Sequence, residues 1–253
     1  MASWSTKRKY GYFFGLIFMV VLLGGVPAFF LFYKAPTCSD GKQNGGERGV
    51  DCGGKCARLC PADFTSTRVL WSHSMKILPG IYNSLTYIQN PNQAVEIKSL
   101  DYSIKLYDIE GILIAERKGS TFVPAGQKFV VFQGGIKTGE RTPVKTTFEF
   151  TAEPLWRPGN VLSKLRVLNS ELEQSNSPKV EVKIQNDAVD QSFSNIDAYV
   201  ILYDKDDNRV AFSKTVIEQI GATEVQSLYF TWPEAFVRPI VRTEVVFMAR
   251  PRN

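Results

Sequence analysis

An internal repeat constrains the fold of this 253-residue chain more than any other feature. At an offset of 96 residues, positions 87–118 align with positions 183–214 without a gap, and nine of the paired residues are identical. The tripeptides Ile-Gln-Asn and Leu-Tyr-Asp occur at matching places in both copies. A unit of nearly one hundred residues that occurs twice predicts two similar domains in tandem.

Each copy has the sequence pattern of antiparallel β-structure. Apolar residues alternate with polar ones through residues 100–107, and a similar alternation recurs through residues 196–202. Because the side chains of a strand point alternately to opposite faces, this period predicts strands with one buried face. Turn-forming residues follow at 108–111 and 204–208, as expected for hairpins.

The expected fold class is therefore all-β, with two tandem antiparallel Ig-like β-sandwiches after one N-terminal transmembrane helix and a short disulfide-rich segment. We assign the first sandwich to residues 64–152 and the second to residues 160–253. Trp156 lies in the proline-containing linker between them, where it either contacts both domains or packs against its own.

The Leu-Tyr-Asp strands carry a family resemblance. The segments I-K-L-Y-D at residues 104–108 and V-I-L-Y-D at residues 200–204 resemble the F-x-L-Y-D family of small extracytoplasmic β-sandwiches, which look similar to late-embryogenesis-abundant-type domains. Ile104 and Val200 stand where that family has Phe, so the position stays apolar. The resemblance extends over most of both units. It implies domains behind a membrane anchor or in secreted proteins, without general catalytic residues and with interaction or structural roles.

A membrane helix is predicted from an uncharged stretch near the N-terminus. Residues 10–33 contain no charged side chain, and as a helix they would cover about 36 Å, more than the roughly 30 Å of a bilayer core. Three basic residues, at positions 7–9, precede the stretch, whereas only Lys34 follows it closely. This asymmetry predicts a cytoplasmic stub at residues 1–9 and a single-pass cell-membrane protein whose bulk is extracytoplasmic. The alternative is a cleaved signal peptide, which would export the same residues.

All four cysteines lie in residues 38–60, a segment that we call the collar. Outside the cytoplasm, clustered cysteines predict disulfides, here two bridges with three possible pairings. Zinc is the weaker alternative, because the spacing lacks the paired C-x-x-C units of common zinc ribbons. A segment this short with six glycines cannot build a core, so covalent closure would hold it. The four residues are Cys38, Cys52, Cys56 and Cys60.

The collar also contains oxygen donors that could bind calcium. Carboxylate and amide oxygens are the ligands that calcium prefers, and the neighbouring glycines let the backbone fold sharply around an ion. The alternative is turn formation, since the full ladder of an EF-hand loop is missing. Calcium is therefore a possible cofactor here, and the candidate ligands are Asp40, Asn44, Glu47 and Asp51.

A second resemblance covers the same segment. The stretch C-S-D-G-K-Q-N-G-G-E-R-G-V-D-C-G-G-K-C is similar to a motif of bacterial secreted and surface proteins, C-x-D-G-x-x-N-G-x-E-x-G-V-D-C-G-G-x-C. This resemblance covers under a tenth of the chain. It implies an extracytoplasmic, cysteine-stapled module and no particular activity.

Charge and residue inventory argue against two classes of function. Four of the 30 basic residues and none of the 25 acidic ones lie in residues 1–37, so the remaining chain is nearly neutral and nucleic acid is not an expected partner. His73 is the only histidine, and no nucleophile elbow or metalloprotease motif accompanies it. A strand histidine without a catalytic role is the expected interpretation, and we predict no enzyme activity.

Two further groups allow either a binding or a structural interpretation. The acidic turn at residues 204–208 is either a second calcium site or a solvated hairpin turn. Aromatic residues could form an exposed binding patch, although buried core is their commoner use. They are Trp232, next to Pro233, together with Phe129 and Phe132.

These observations predict a non-enzymatic, membrane-anchored, extracytoplasmic interaction or scaffold protein of the bacterial cell envelope. Its expected partners are the membrane that it spans once and another envelope protein or a surface polymer. The alternative function is a calcium-dependent adhesive or ligand-sensing surface module that uses the collar.

Overall fold

The computed structural model describes residues 4–159 and 164–249. The chain forms two compact units, Met1–Cys56 and Ala57–Asn253. The first holds the N-terminal helix and most of the collar, and the second holds every β-strand of the described residues.

The N-terminal helix consists of α1 (Trp4–Val20), a π-helical turn (Val21–Gly25) and α2 (Val26–Phe32). Its segment Arg8–Phe32 is long and apolar enough to cross a membrane, and none of it is buried inside the protein. The helix starts before the predicted apolar stretch. Pro27, which has no N–H to donate, lies at the start of α2, and the helix widens into the π-turn just before it.

The second unit contains a short 3₁₀ turn (Pro61–Asp63) and thirteen strands in the described residues. The strands are β1 (Arg68–Leu78), β2 (Ile81–Gln89), β3 (Val95–Tyr107), β4 (Leu113–Val123), β5 (Lys128–Lys137), β6 (Lys145–Phe150), β7 (Arg157–Pro158), β8 (Leu165–Glu173), β9 (Lys179–Asn186), β10 (Phe193–Tyr203), β11 (Arg209–Ile220), β12 (Val225–Thr231) and β13 (Arg242–Ala249).

The strands form four antiparallel sheets that repeat one arrangement. Strand orders β1-β2-β5 and β4-β3-β6 make the first sandwich, and β7 pairs with the start of β3. Strand orders β8-β9-β12 and β11-β10-β13 make the second. Each strand from β1 to β6 thus has a counterpart from β8 to β13. The predicted all-β fold with tandem sandwiches after one apolar helix is confirmed.

The repeated Ile-Gln-Asn tripeptides end in buried asparagines that close two loops each. The Asn90 side-chain amide donates to the carbonyl oxygens of Val95 and Pro124, at 2.9 and 2.7 Å. Asn186 donates in the same way to Gln191 and Gly221, at 2.7 and 2.8 Å. These bonds satisfy loop carbonyls that burial would otherwise leave without partners, which explains why the tripeptide recurs.

The alternation in β10 predicted one buried face, and both of its faces are buried. Ile196, Ala198, Val200 and Leu202 lie in the core of the second sandwich. Residues on the opposite face join the core of the first sandwich, since the sheet β11-β10-β13 packs on the sheet β1-β2-β5. Strand pattern alone does not reveal such sheet-on-sheet packing. The outward residues that become buried are Tyr199, Ile201 and Tyr203.

One carboxylate bridges the two sandwiches. Glu244 accepts a hydrogen bond from the Tyr87 hydroxyl at 2.5 Å and another from the Tyr203 hydroxyl at 2.9 Å. Arg242 lies over the Tyr203 ring, 3.6 Å from its centre. Burial, together with the neighbouring Glu244 carboxylate, raises the pKa of both tyrosine hydroxyls. The contact links a residue of the first sandwich to two residues of the second.

Candidate binding site

The two sandwiches anchor equivalent loops in the same way. The loop at residues 138–144 joins β5 to β6, and the loop at residues 232–241 joins β12 to β13. In each, an arginine bonds to the aspartate of the Leu-Tyr-Asp tripeptide, and a valine N–H near the loop's end donates to the tyrosine carbonyl at 2.9 Å. The arginine pairs are Arg141 with Asp108, and Arg238 with Asp204 at 2.9 Å.

Asp204 acts as the anchor of its turn. Its carboxylate accepts backbone N–H groups of Asp206 and Asn208, both at 2.9 Å, and is almost fully buried. The Asn208 amide and the Arg238 guanidinium hold the pKa of the Asp204 carboxyl well below its usual range. The sequence left this turn as either a calcium site or a solvated hairpin, and these bonds give Asp204 a loop-closing role.

The loops differ in length and in chemistry. The loop at residues 232–241, which we call the Trp232 loop, is three residues longer than its counterpart. Before the anchoring arginine, the counterpart has Thr-Gly-Glu, whereas the Trp232 loop has Trp-Pro-Glu-Ala-Phe-Val. Val237 at its tip is 97% exposed. The additional apolar residues are not required by the anchor, because the first sandwich forms it without them.

The Trp232 loop borders a cleft of about 460 Å³, which we call the Trp232 cleft. Three elements form its walls: the end of β1, the start of β11 and the loop itself. The cleft therefore lies where the first sandwich meets the second. Its apolar lining consists of Met75, Ile77, Val210, Ala211, Trp232, Pro233, Ala235, Phe236 and Val237.

Trp232 places an unpaired hydrogen-bond donor beside this cleft. Its side chain is only 6% exposed and meets the Phe236 ring edge to face, with ring centres 5.1 Å apart. The indole N–H is buried and has no acceptor within the described part of the chain. A buried donor without an acceptor destabilises a fold by about 1–3 kcal/mol, and this donor belongs to a residue that lines the cleft.

The rim of the cleft is positively charged. Three basic side chains border it, whereas Glu234 is the one acidic residue in its lining. Arg238 is already paired with Asp204, which leaves Lys76 and Arg209 to set the local potential. The Arg209 guanidinium lies over the Trp71 ring, 4.9 Å from its centre.

The other aromatic candidates are structural. Phe129 is fully buried in the first sandwich. Phe132 lies between the sandwiches, with ring centres 6.1 Å from Tyr199 and 6.3 Å from Phe212. Trp156 packs 4.9 Å from Phe64 in the core of the first sandwich, and its indole N–H also lacks an acceptor in the described residues. Among these predicted candidates, Trp232 is the one that borders the Trp232 cleft.

The four collar cysteines are oxidised. Cys38 and Cys56 form one disulfide, and Cys52 and Cys60 are also disulfide-bonded, so no cysteine in the described chain is free. Glu47 lies near the sulfur atoms of the first bridge. Because zinc binds thiolates and not disulfide sulfurs, the zinc alternative is wrong.

The collar's predicted calcium ligands lie in one network of turns. Asp40 accepts the backbone N–H of Lys42 at 2.9 Å and the Asn44 side-chain amide at 3.0 Å, and the latter bond lowers the pKa of the Asp40 carboxyl. Asp51 accepts the N–H of Gly41 at 3.0 Å, and Glu47 accepts that of Asp51 at 3.1 Å. No three carboxylates of the described collar lie within 4.8 Å of one another. These hydrogen bonds are those expected of turns, and calcium binding by the collar stays a prediction.

His73 lies on β1 against the second sandwich. Its ring meets Phe212 edge to face, with centres 6.4 Å apart. Burial and then the charge of Arg209 lower the pKa of the imidazole. This environment favours the neutral ring and suits a packing role.

Comparisons with known proteins leave the chain without a family. No family model matches it, and no curated protein matches it. A transglutaminase from red sea bream is 9% identical over 75% of this chain and 32% of its own, with a TM-score of 0.25. A β-glucuronidase from Bacteroides uniformis is 12% identical over 68% of this chain and 26% of its own, with a TM-score of 0.21. The chain spans less than a third of either enzyme, and TM-scores this low carry no argument about its activity.

Proposed function

We propose that this protein is a membrane-anchored, extracytoplasmic interaction module of the bacterial cell envelope, which binds another envelope protein without catalysing a reaction. The observation that carries the proposal is the Trp232 cleft. It combines an apolar lining, a positive rim and an unpaired indole N–H, features typical of binding sites.

The comparison of the repeats supports a binding role for the Trp232 loop. The counterpart loop at residues 138–144 closes its sandwich with the same arginine anchor and without an aromatic residue. Exposing Val237 and the neighbouring apolar residues to water contributes nothing to the anchor. Surface apolar residues that the fold does not need are common at protein interfaces.

The N-terminal region supports the membrane and envelope part of the proposal. The helix Arg8–Phe32 could be a membrane span or a signal anchor, and the basic residues before it favour a cytoplasmic N-terminus. The oxidised collar is typical of proteins that reside outside the cytoplasm. The resemblance of both sandwiches to F-x-L-Y-D domains points in the same direction.

Site-specific cross-linking in cells tests this function. A photo-reactive amino acid replaces Val237 in the full-length protein, and a matched one replaces Glu140, which precedes the equivalent arginine in the first sandwich. We expect a discrete cross-linked envelope protein from position 237 and none from position 140. Identical products from both positions, or none from 237, would contradict the proposal.

A further inference from the structure

We propose that the Trp232 cleft binds an extended peptide segment with an apolar-acidic-apolar sequence, which pairs with the free edge of β1. This inference rests on the proposed function and specifies the chemistry of the partner. Three observations carry it: the unpaired edge of β1, the apolar lining of the cleft and the charge of the rim.

The first observation is the unpaired backbone edge of β1. In the described chain β1 pairs only with β2, so its other edge has N–H and C=O groups without a strand partner. Met75, Lys76 and Ile77 line the cleft, whereas no residue of β2 does. The edge of β1 that faces away from β2 therefore borders the cleft. Such an edge binds an extended peptide by main-chain hydrogen bonds.

The second observation defines where apolar side chains of the peptide would lie. Met75 packs against the cores of both sandwiches. Ile77, Trp232 and Phe236 line the cleft with it and complete the apolar surface. A cleft of about 460 Å³ accommodates a short segment of chain with its side chains. The Trp232 side chain would then contact the bound peptide.

The third observation sets the charge of the central residue. Lys76 lies between Met75 and Ile77, is exposed and lines the cleft. A peptide residue directly across from Lys76 lies within reach of its ammonium group. An acidic residue there complements this charge, and apolar residues on either side match the apolar lining of the cleft. Arg209 adds to the positive potential at the rim.

The test uses short synthetic peptides and the full-length, oxidised protein in lipid nanodiscs. The probe is acetyl-Thr-Val-Glu-Phe-Thr-amide, and calorimetry measures its affinity. One analogue replaces Glu by Lys, and another carries an N-methyl group on the Val and Phe amides. We expect the Lys analogue to bind at least about tenfold more weakly, because like charges meet at Lys76. The methylated analogue should not bind, because its strand-pairing donors are blocked.

Charge reversal in the protein supplies the matched control. Lys76→Glu should reverse the preference, so that the Lys analogue binds better than the Glu peptide. Lys137→Glu makes the same change on β5, outside the cleft, and should leave the preference unchanged. In spectra of ¹⁵N-labelled protein, the Trp232 indole signal should shift when the Glu peptide is added.

Three outcomes would overturn the inference: equal binding of the Glu and Lys peptides, binding that survives N-methylation, or unchanged preference in Lys76→Glu. If no peptide binds while position 237 still cross-links a partner in cells, the peptide chemistry is wrong and the proposed function stands. If the peptide binds as expected and no cross-link forms, the envelope partner is wrong and the peptide site stands.

Discussion

The two sandwiches share their internal anchors and differ at their surfaces. Asn90 and Asn186 close equivalent loops, and Asp108 and Asp204 bind equivalent arginines. The repeated residues therefore maintain the fold. The apolar residues of the Trp232 loop have no equivalent in the counterpart loop of the first sandwich, so function is better sought among residues that the repeat does not share.

A second difference lies on the outward faces of the equivalent strands β3 and β10. On β3 the outward residue Lys105 bonds to Glu149 at 2.5 Å and is partly exposed. Its repeat counterpart on β10 is Ile201, which is fully buried against the first sandwich. The outward face of this strand therefore contacts solvent in the first sandwich and packs against another sheet in the second. This difference explains why the sandwiches pack together through one pair of sheets.

The largest expected effect comes from charging that buried outward face. Ile201→Asp places an unpaired carboxylate between the sandwiches, and we expect a loss of about 3–5 kcal/mol in the free energy of unfolding. Lys105→Gln, at the matching position of β3, should leave stability nearly unchanged. Urea denaturation of both variants measures the difference. Equal stability of the two variants would show that the sandwiches do not pack in this way.

Removing the repeated asparagines should have the next largest effect, and it should be similar in both copies. Asn90→Ala and Asn186→Ala each leave two loop carbonyls without their donor, so we expect about 2–3 kcal/mol of destabilisation. Asn169→Ala, at an exposed position of β8, is the control and should have little effect. A large difference between the first two variants would mean that the equivalent bonds do not contribute equally.

A smaller effect should appear at alkaline pH through the contact of Glu244 with Tyr87 and Tyr203. The pKa of both hydroxyls is raised in the folded protein, whereas unfolded tyrosine loses its proton near pH 10. The stabilisation is therefore complete below about pH 10 and is lost as the pH rises further. In denaturation series from pH 8 to 11, Tyr203→Phe should lose less stability than the unmodified protein. Tyr229→Phe, at an exposed ring, is the control, and an equally steep loss in Tyr203→Phe would contradict this role.

The features of the fold that depend on local sequence pattern were predictable from the sequence. The alternation around Leu106 and Leu202 predicted the strands, and both residues are fully buried. The pattern could not predict the second buried face of β10. A strand face made of Tyr, Ile and Tyr occurs both exposed to solvent and packed against another sheet. Trp232 was recognised as a possible binding residue, but its partner Met75 lies in a distant part of the sequence. The signal in the sequence that could have indicated this site was the greater length of the Trp232 loop compared with the loop at residues 138–144.

The smallest expected change in stability separates folding from binding at the Trp232 loop. Val237→Asp alters a side chain that is 97% exposed, so the free energy of unfolding should change by no more than about 0.5 kcal/mol. Cross-linking from Ala235, which also lines the cleft, should nevertheless be strongly reduced, because the new carboxylate repels an acidic partner and removes apolar contact area. Val144→Asp makes the same change at an exposed valine of the counterpart loop and should alter neither stability nor cross-linking. If Val144→Asp reduced cross-linking as much as Val237→Asp, the partner would contact both loops and the difference between the repeats would not define the binding site.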